Sequence, residues 1–215
     1  MKKAASLIEL VIAIVVMGIA VMTLPMMLSQ TQKNNEFTLK QEVILAARTK
    51  LGDILTYRWD KNSLVNDRIV VLQVTNGDPA LDPSDETRRI GHIPGNKRRK
   101  FSFENNASTA FGDSNITDID DFDGVSIGLT LIKANLDYRF TDLNMSTTVQ
   151  YVSDIPAGSA TYDDQNLSYD FPITSATSST NIKMITLETT AEESTFTLRA
   201  YSSNIGESEF LRKSY

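Results

Sequence analysis

The sequence predicts an α+β protein in which one long N-terminal helix packs against an antiparallel β-sheet head. Three observations lead to this expectation. The run Leu10–Leu28 is apolar and contains no charged residue. The next segment, 29–58, has apolar residues at helical spacing. From Trp59 onward the helical period disappears, and alternating β-branched and aromatic residues are separated by polar turns. We therefore expect a helix over 5–58 and a β-rich head over 59–215.

The apolar run Leu10–Leu28 is long enough to cross a membrane. At about 1.5 Å per residue, a helix of this length nearly matches a hydrocarbon core of about 30 Å. Lys2 and Lys3 precede the run, and no basic residue follows it closely. The positive-inside rule therefore keeps Met1 in the cytoplasm and exports the rest of the chain. A cleaved secretory signal is the alternative, but the small-x-small site that it needs is not found after Met22.

Two residues of this first part are unusual for a membrane anchor. Glu9 stands at the edge of the apolar run, where inserting a carboxylate costs up to about 3 kcal/mol. Acidic residues in such positions usually have a functional partner, and an ordinary anchor has no use for one. Pro25 lacks an amide hydrogen and clashes with the preceding turn, so we expect it to kink or locally melt the helix.

The segment 29–58 is predicted to be an amphipathic continuation of the helix. Phe37, Ile44 and Leu51 recur at intervals of seven, and Ala47 and Ile54 each follow one of them by three residues. This spacing places an apolar stripe along one side of a helix. The repeat covers too few heptads to favour a coiled coil. We expect the stripe to pack against the sheet of the head.

The head is predicted to be built from strands and polar loops. The composition of 67–74, DRIVVLQV, is typical of a strand, and a turn signal follows it. Further strands are predicted over 124–133 and 144–153, and a C-terminal hairpin over 181–189 and 194–201. The stretch 79–100 is predicted to be an exposed insertion, and 156–180 a long surface loop.

Residues 2–10, KKAASLIEL, resemble the processing site of type IV pilins and pseudopilins. The resemblance implies that a prepilin peptidase removes residues 1–4 by cutting between Ala4 and Ala5, and then N-methylates Ala5. Glu9 becomes the fifth mature residue, which in this family pairs with the N-terminal ammonium of a neighbouring subunit. Ala4 and Ala5 replace the usual glycine and phenylalanine of the family.

The resemblance continues along the membrane helix. Gly18 falls on a glycine of the family, and Pro25 lies one residue before the position of its helix-kinking proline. These residues, together with Glu9, are the expected assembly residues. Residues 119–124, IDDFDG, and 198–206, LRAYSSNIG, resemble stretches of minor prepilins of the mannose-sensitive-haemagglutinin pilus type. Many major pilins close a C-terminal loop with a disulfide, and this chain has no cysteine.

The expected function is therefore that of a minor pilin. Its partners would be other pilin or pseudopilin subunits, the prepilin peptidase and an ATP-driven assembly platform in the bacterial inner membrane. The chain would cross that membrane once, with its head in the periplasm, and then enter a pilus or pseudopilus. A pseudopilin of a type II secretion system is the alternative within the family. A membrane-anchored periplasmic binding protein that never polymerises is the alternative outside it.

Charge gives little support to nucleic-acid binding. The formal net charge is −6, and losing Lys2 and Lys3 with the leader makes it −8. One stretch is locally basic and surrounds the single histidine, His92: Arg88, Arg89, Lys97, Arg98, Arg99 and Lys100. Such a patch could hold phosphate groups, but it has no interleaved aromatic residue on which bases could stack. Solvated loop charges, or a contact surface for the acidic stretch that follows, are the alternative interpretation.

Five aspartates close together form that acidic stretch: Asp113, Asp118, Asp120, Asp121 and Asp123. Carboxylate oxygens are ligands that calcium prefers. The spacing does not fit an EF-hand, because counting back from Gly124 as the sixth position puts Ile119 at the first ligand position. Calcium binding is one interpretation, and the capping of turns by these side chains is the other. No cofactor is required by either.

The sequence contains no catalytic motif, and we do not expect an enzyme. It has no nucleophile elbow, no phosphate-binding glycine loop and no zinc-ligand spacing.

Four asparagines share the pattern of an acidic residue, any residue, Asn, any residue and then Ser or Thr: Asn106, Asn115, Asn144 and Asn166. The pattern resembles the extended acceptor site of bacterial N-glycosylating transferases, and random placement gives only about 0.4 such sites. Ordinary polar turns are the alternative explanation. Asn144 begins a predicted strand, so we expect it to be the least accessible of the four.

Overall fold

The computed structural model describes residues 7–81, 101–109, 111–112, 114–130, 142–158, 160–162, 164, 166–191 and 194–206. It confirms the predicted α+β fold, because one long N-terminal helix contacts a four-stranded antiparallel sheet. The helix, α1, spans Leu7–Ile54. The strands are β1 (Leu64–Val65), β2 (Arg68–Ile69), β3 (Val71–Gln73), β4 (Phe101–Asn106), β5 (Ser126–Thr130), β6 (Asp142–Val152), β7 (Ile182–Ala191) and β8 (Ser194–Ser203).

Helix α1 is continuous over its 48 residues and has Pro25 in its interior. The local melting that the proline could have caused is therefore absent from this helix. The predicted end, residue 58, lies four residues too far. After Ile54 the chain tightens, since the amides of Thr56 and Tyr57 each donate to a carbonyl oxygen three residues back, at 3.0 and 3.1 Å. That tighter turn ends the helix.

The stripe by which α1 packs against the head differs from the predicted one. The buried residues are Val43, Ala47, Leu51 and Ile54, so three of the expected residues are correct and Val43 is new. Phe37 is 62% exposed, and Ile44 in the same helix is 41% exposed. A heptad repeat drifts around a straight helix, and at about 100° per residue Phe37 lies about 120° away from Val43.

The main sheet has the strand order β5-β6-β7-β8, with every neighbouring pair antiparallel. The predicted C-terminal hairpin is confirmed, and its two strands pair from Ile182 with Ser203 to Ala191 with Ser194. Alternate residues of the strands point toward α1 and form what we call the inner face: Leu143, Met145, Val149, Ile185, Leu187, Ala191, Phe196, Leu198 and Ala200. The core of the head lies between this inner face and the stripe on α1.

The predicted strand over 67–74 is in fact two short strands with different partners. Strands β1 and β2 form a hairpin whose turn residues, Asn66 and Asp67, have φ values of 50° and 60°. Such left-handed residues make the tight turn of a two-residue hairpin. Strand β3 pairs instead with β4 in parallel. The composition identified strand-forming residues but gave no information on the break at Val70.

One asparagine joins the small β3-β4 pair to the main sheet. Asn204 follows β8 directly, and its Oδ1 accepts a hydrogen bond from the amide of Leu72 at 3.0 Å. Its Nδ2 donates to the Leu72 carbonyl oxygen at 2.8 Å and to Asn181 Oδ1 at 3.1 Å. Asn204 is only 2% exposed, so these bonds satisfy an amide that would otherwise be buried without partners.

The position of the buried stripe gives a direct test. Leu51→Ala should lower the free energy of unfolding by about 2–5 kcal/mol, since it opens a cavity between α1 and the inner face. The matched change Leu45→Ala, at a leucine that is 65% exposed, should alter it by no more than about 0.5 kcal/mol. Denaturation of the full chain in detergent can be followed by the fluorescence of the single tryptophan, the buried Trp59. If the two variants lowered the free energy of unfolding equally, the placement of Leu51 in the buried stripe would be contradicted.

Candidate functional site: the free helix and its anchorage

The first part of α1, Leu7–Leu28, projects away from the head, and we call it the free helix. Each of its residues is exposed, and its large apolar side chains keep between 49% (Val11) and 82% (Met22) of their surface accessible. Soluble proteins rarely expose a continuous apolar surface of this size. The free helix therefore needs lipid or another protein to cover it.

Its length and composition suit a membrane. Within the described residues α1 is one helix that is long and apolar enough to cross a bilayer, with a mean hydropathy of 2.7 in its most apolar window. None of that window is buried inside the molecule, unlike the core helix of a soluble protein. A single-pass membrane anchor and an N-terminal signal sequence both have this property.

The expected assembly residues all lie on the free helix. Gly18 and Pro25 are separated by seven residues and therefore lie on nearly the same side. Glu9 precedes Gly18 by nine residues, which places it on the opposite side at about 100° per residue. A Cβ added at Gly18 would have no atom within 4 Å. Packing within this chain therefore does not require a glycine there.

A buried group of charged residues lies where the chain leaves α1 and enters the head. We call Lys183, Asp60 and Asp120 the lysine cluster. The Lys183 Nζ atom lies 2.6 Å from Asp120 Oδ1 and 3.5 Å from Asp60 Oδ2. It also donates a hydrogen bond to the Trp59 carbonyl oxygen at 2.7 Å. The three charged side chains are at most 2% exposed.

The fold brings the lysine cluster and the two aromatic rings beside it together from four parts of the chain. Lys183 continues the inward-pointing series of β7 beyond Ile185, and Tyr151 lies opposite Lys183 on β6. Asp60 comes from the segment after α1, and Asp120 begins a short 3-10 turn before β5. The Trp59 and Tyr151 rings flank the ammonium group, with centroids 4.0 and 5.1 Å from Nζ.

Burial governs the electrostatics of this region. It raises the pKa of Asp120 to about 7, although the Lys183 charge opposes the shift. Burial and the Asp121 charge likewise raise the pKa of Asp118. Burial acts in the same direction on Asp121, but hydrogen bonds from Thr117 and Asp118 outweigh it and lower the pKa of that carboxyl. These groups are close in sequence, yet their environments separate their pKa values.

The acidic stretch has two carboxylates that cap their own turn. Asp118 accepts hydrogen bonds from the amides of Lys61, Asp120 and Asp121, the latter two at 3.1 and 3.3 Å. Asp121 accepts from the amide and hydroxyl groups of Thr117 at 2.7 and 3.0 Å, and from the Asp118 amide at 3.2 Å. Both oxygens of Asp118 and the Oδ2 of Asp121 are therefore occupied by local donors.

The remaining carboxylates of that stretch also have separate roles. Asp123 accepts a hydrogen bond from the Val149 amide at 2.8 Å, and Asp120 pairs with Lys183. Asp113 lies outside the described residues. In the part of the chain that the structure describes, no group of three or more metal-ligand side chains is placed to hold an ion. Asp118 and Asp121 thus cap local turns, and calcium binding by this stretch stays a prediction.

Some of the other expected sites lie outside the described residues. These include Ala4, Ala5 and the basic stretch with His92. The four asparagines of the glycosylation pattern are described, and all four are exposed. Asn144 was expected to be the least accessible, but it points outward from β6 and is also exposed. Alternation along β6 turns every second residue away from the core, which explains this exposure.

The lysine cluster was not identified from the sequence, although one signal was present. In β7 the residues at positions 185, 187, 189 and 191 point inward, and Lys183 continues the same alternation. A lysine in register with the apolar positions of a strand is uncommon, since such a charge needs a buried partner. The identity of its partners depended on contacts more than 60 residues away in the sequence.

The exposure of the four asparagines allows a test of glycosylation. In the native host, the mature protein should be heavier than its polypeptide by one or more glycans. Asn166→Gln should remove the mass of one glycan. Asn105→Gln, which changes an asparagine outside the pattern, should remove none. Intact-mass measurement checks both changes, and a wild-type protein with no added mass apart from N-methylation would exclude the hypothesis.

Comparison with known proteins gives no family for this chain, so its function has to be inferred from its fold. No protein-family model, curated protein or solved structure matches this chain. A long apolar N-terminal helix packed against a four-stranded antiparallel sheet is a pilin-like architecture. The chain has that architecture, together with one N-terminal helix capable of crossing a membrane.

Proposed function

We propose that this chain is a minor pilin or pilin-like structural subunit that is assembled into a type IV pilus-like filament. The observation that carries the proposal is the division of α1 into two parts with opposite surroundings. Its C-terminal part buries one stripe against the inner face, whereas the free helix is exposed on all sides and carries no charged residue after Glu9. A helix of this kind can be held by lipid before assembly and by neighbouring subunits afterwards.

The residues of the free helix support an assembly role beyond simple anchoring. Gly18 leaves a site where another helix can approach closely, and no contact within the chain requires it. Glu9 places a carboxylate in apolar surroundings, where its burial is favourable only with an opposite charge nearby. The N-terminal ammonium of a neighbouring subunit, released by cleavage before Ala5, supplies such a charge.

This function implies a defined set of partners. A prepilin peptidase cuts between Ala4 and Ala5 and methylates the new N-terminus. An assembly platform in the inner membrane then extracts the subunit from the bilayer and adds it to other pilin or pseudopilin subunits. The head is held by its own core and polar network, since the chain has no cysteine for a disulfide.

The test is the variant Glu9→Gln, with Glu36→Gln as the matched control on the same helix. Both should be inserted into the membrane and processed like the wild type. Glu9→Gln should enter sheared filaments at least about tenfold less, since removing one partner of a buried ion pair costs about 3–5 kcal/mol. Glu36→Gln, which lies beyond the free helix, should be incorporated normally. Immunoblots of sheared filaments and membranes give the ratio.

Three results would count against the proposal. Normal incorporation of Glu9→Gln would remove the assembly role of that carboxylate. Absence of the wild-type protein from every pilus or pseudopilus fraction would favour a membrane-anchored binding protein instead. Incorporation only when a type II secretion system is present would assign the chain to a pseudopilus.

A further inference from the structure

We propose that Lys183 and Asp120 become joined by an intramolecular amide bond between Nζ and the carboxyl carbon, with loss of water. The inference concerns the lysine cluster and does not depend on the assembly function. A lysine and an aspartate are both buried there, in contact, in an exported head that has no cysteine. Such a bond would crosslink the head in the place of a disulfide.

The reacting atoms are already close together. The Lys183 nitrogen is 2.6 Å from one Asp120 oxygen and 2.7 Å from the other. Because the two oxygens flank the carboxyl carbon, the nitrogen lies within about 3 Å of that carbon, near the separation of reacting atoms in a near-attack arrangement. Among the described residues, Asp120 Oδ1 has no hydrogen-bond partner of good geometry in spite of this contact. It is the oxygen that is least restrained and best placed to leave.

Two further groups hold the nitrogen in position. The Trp59 carbonyl oxygen accepts a hydrogen bond from Nζ at 2.7 Å, and Asp60 Oδ2 lies 3.5 Å away. Asp60 is itself fixed, because its Oδ1 accepts from the Asn62 amide at 2.8 Å and its Oδ2 from the Ser108 amide at 2.6 Å. A second carboxylate is therefore within reach of the nitrogen that must lose protons.

The surroundings favour a neutral product over an ion pair. Lys183 is fully buried, and the rings of Trp59 and Tyr151 lie against its ammonium group. Burying a charged pair carries a large desolvation penalty, which the amide would not carry. The raised pKa of Asp120, about 7, means that its neutral carboxyl form is populated near neutral pH. That form is the electrophile which amide formation requires.

The reaction balances without an external reagent. A proton passes from the Lys183 ammonium to the Asp120 carboxylate, which leaves a neutral amine beside a neutral acid. The amine lone pair forms the bond from Nζ to the carboxyl carbon. Asp60 accepts a proton from the nitrogen and transfers it to the departing hydroxyl, so the carbon–oxygen bond breaks and water leaves. One nitrogen, three protons and two oxygens become an amide N–H, a carbonyl oxygen and one water.

The crosslink would join the 3-10 turn before β5 to the middle of the sheet. Lys183 and Asp120 are 63 residues apart in the chain, so the bond would close a long loop that includes β5 and β6. Closing a long loop restricts the unfolded chain, as a disulfide does. The 3-10 turn also contacts the segment after α1, through Phe122 and Tyr57. The bond would therefore fix this turn covalently to β7.

Mass spectrometry of the full chain, extracted from membranes in detergent, tests the proposal. Loss of one water lowers the mass by about 18 Da. Tryptic digestion should yield one branched species, residues 101–133 joined to residues 140–199, because a modified Lys183 is not cut. The branched peptide does not include the N-terminus, so leader cleavage and methylation do not change its mass. Separate peptides 101–133, 140–183 and 184–199, with no branched species, would overturn the proposal.

Variants separate the chemistry from simple packing. Asp120→Asn keeps the shape and should still form the bond, now with loss of ammonia and a mass decrease of about 17 Da. Asp120→Ala should form none. Asp60→Asn, which keeps the side chain but removes the proton acceptor, should leave most molecules unlinked while the sheet remains folded. Complete crosslinking in Asp60→Asn would overturn the role given to Asp60.

Discussion

The mismatch in length between α1 and the sheet that it covers determines the rest of this structure. A helix of 48 residues is about 72 Å long, whereas the longest strands, of 10 or 11 residues, extend about 35 Å. One end of the helix can therefore be buried against the inner face, and the other end must find its cover elsewhere. The apolar composition of the free helix matches this requirement, because such a surface is covered by lipid or by another protein.

The buried end of α1 is fixed by more than apolar contact. Shortly after the helix, Trp59 and Asp60 contact Lys183, which extends from β7, one of the two central strands of the sheet. The aspartates before β5 complete this junction by pairing with the lysine or by accepting backbone amides. The buried carboxylates of Asp118 and Asp120 each accept hydrogen bonds from specific donors, which offset part of the cost of their burial. The acidic stretch thus connects the end of α1 to the sheet of the head.

The sequence predicted the fold and the free helix well, because both follow from local patterns. A long uncharged apolar run predicts a membrane-crossing helix, a helical period predicts an amphipathic helix, and alternating residues on both sides of a short turn predict a hairpin. The predictions were wrong where contacts between distant segments determine which residues are buried and which strands pair. Phe37 and Ile44 fit a heptad but lie beside the true stripe, and the strand-like residues around Val70 divide between two partners. The lysine cluster depends on contacts between distant segments, which no local pattern contains.

In the proposed function, the free helix is a contact surface between protein subunits. A photoreactive amino acid placed at Val16, which is 59% exposed, tests this in cells that make filaments. Irradiation should give covalent adducts between this chain and other subunits. The same probe at Thr197, on the outward side of β8, should give far fewer. Adducts with lipid alone at Val16, under conditions in which filaments form, would contradict the account.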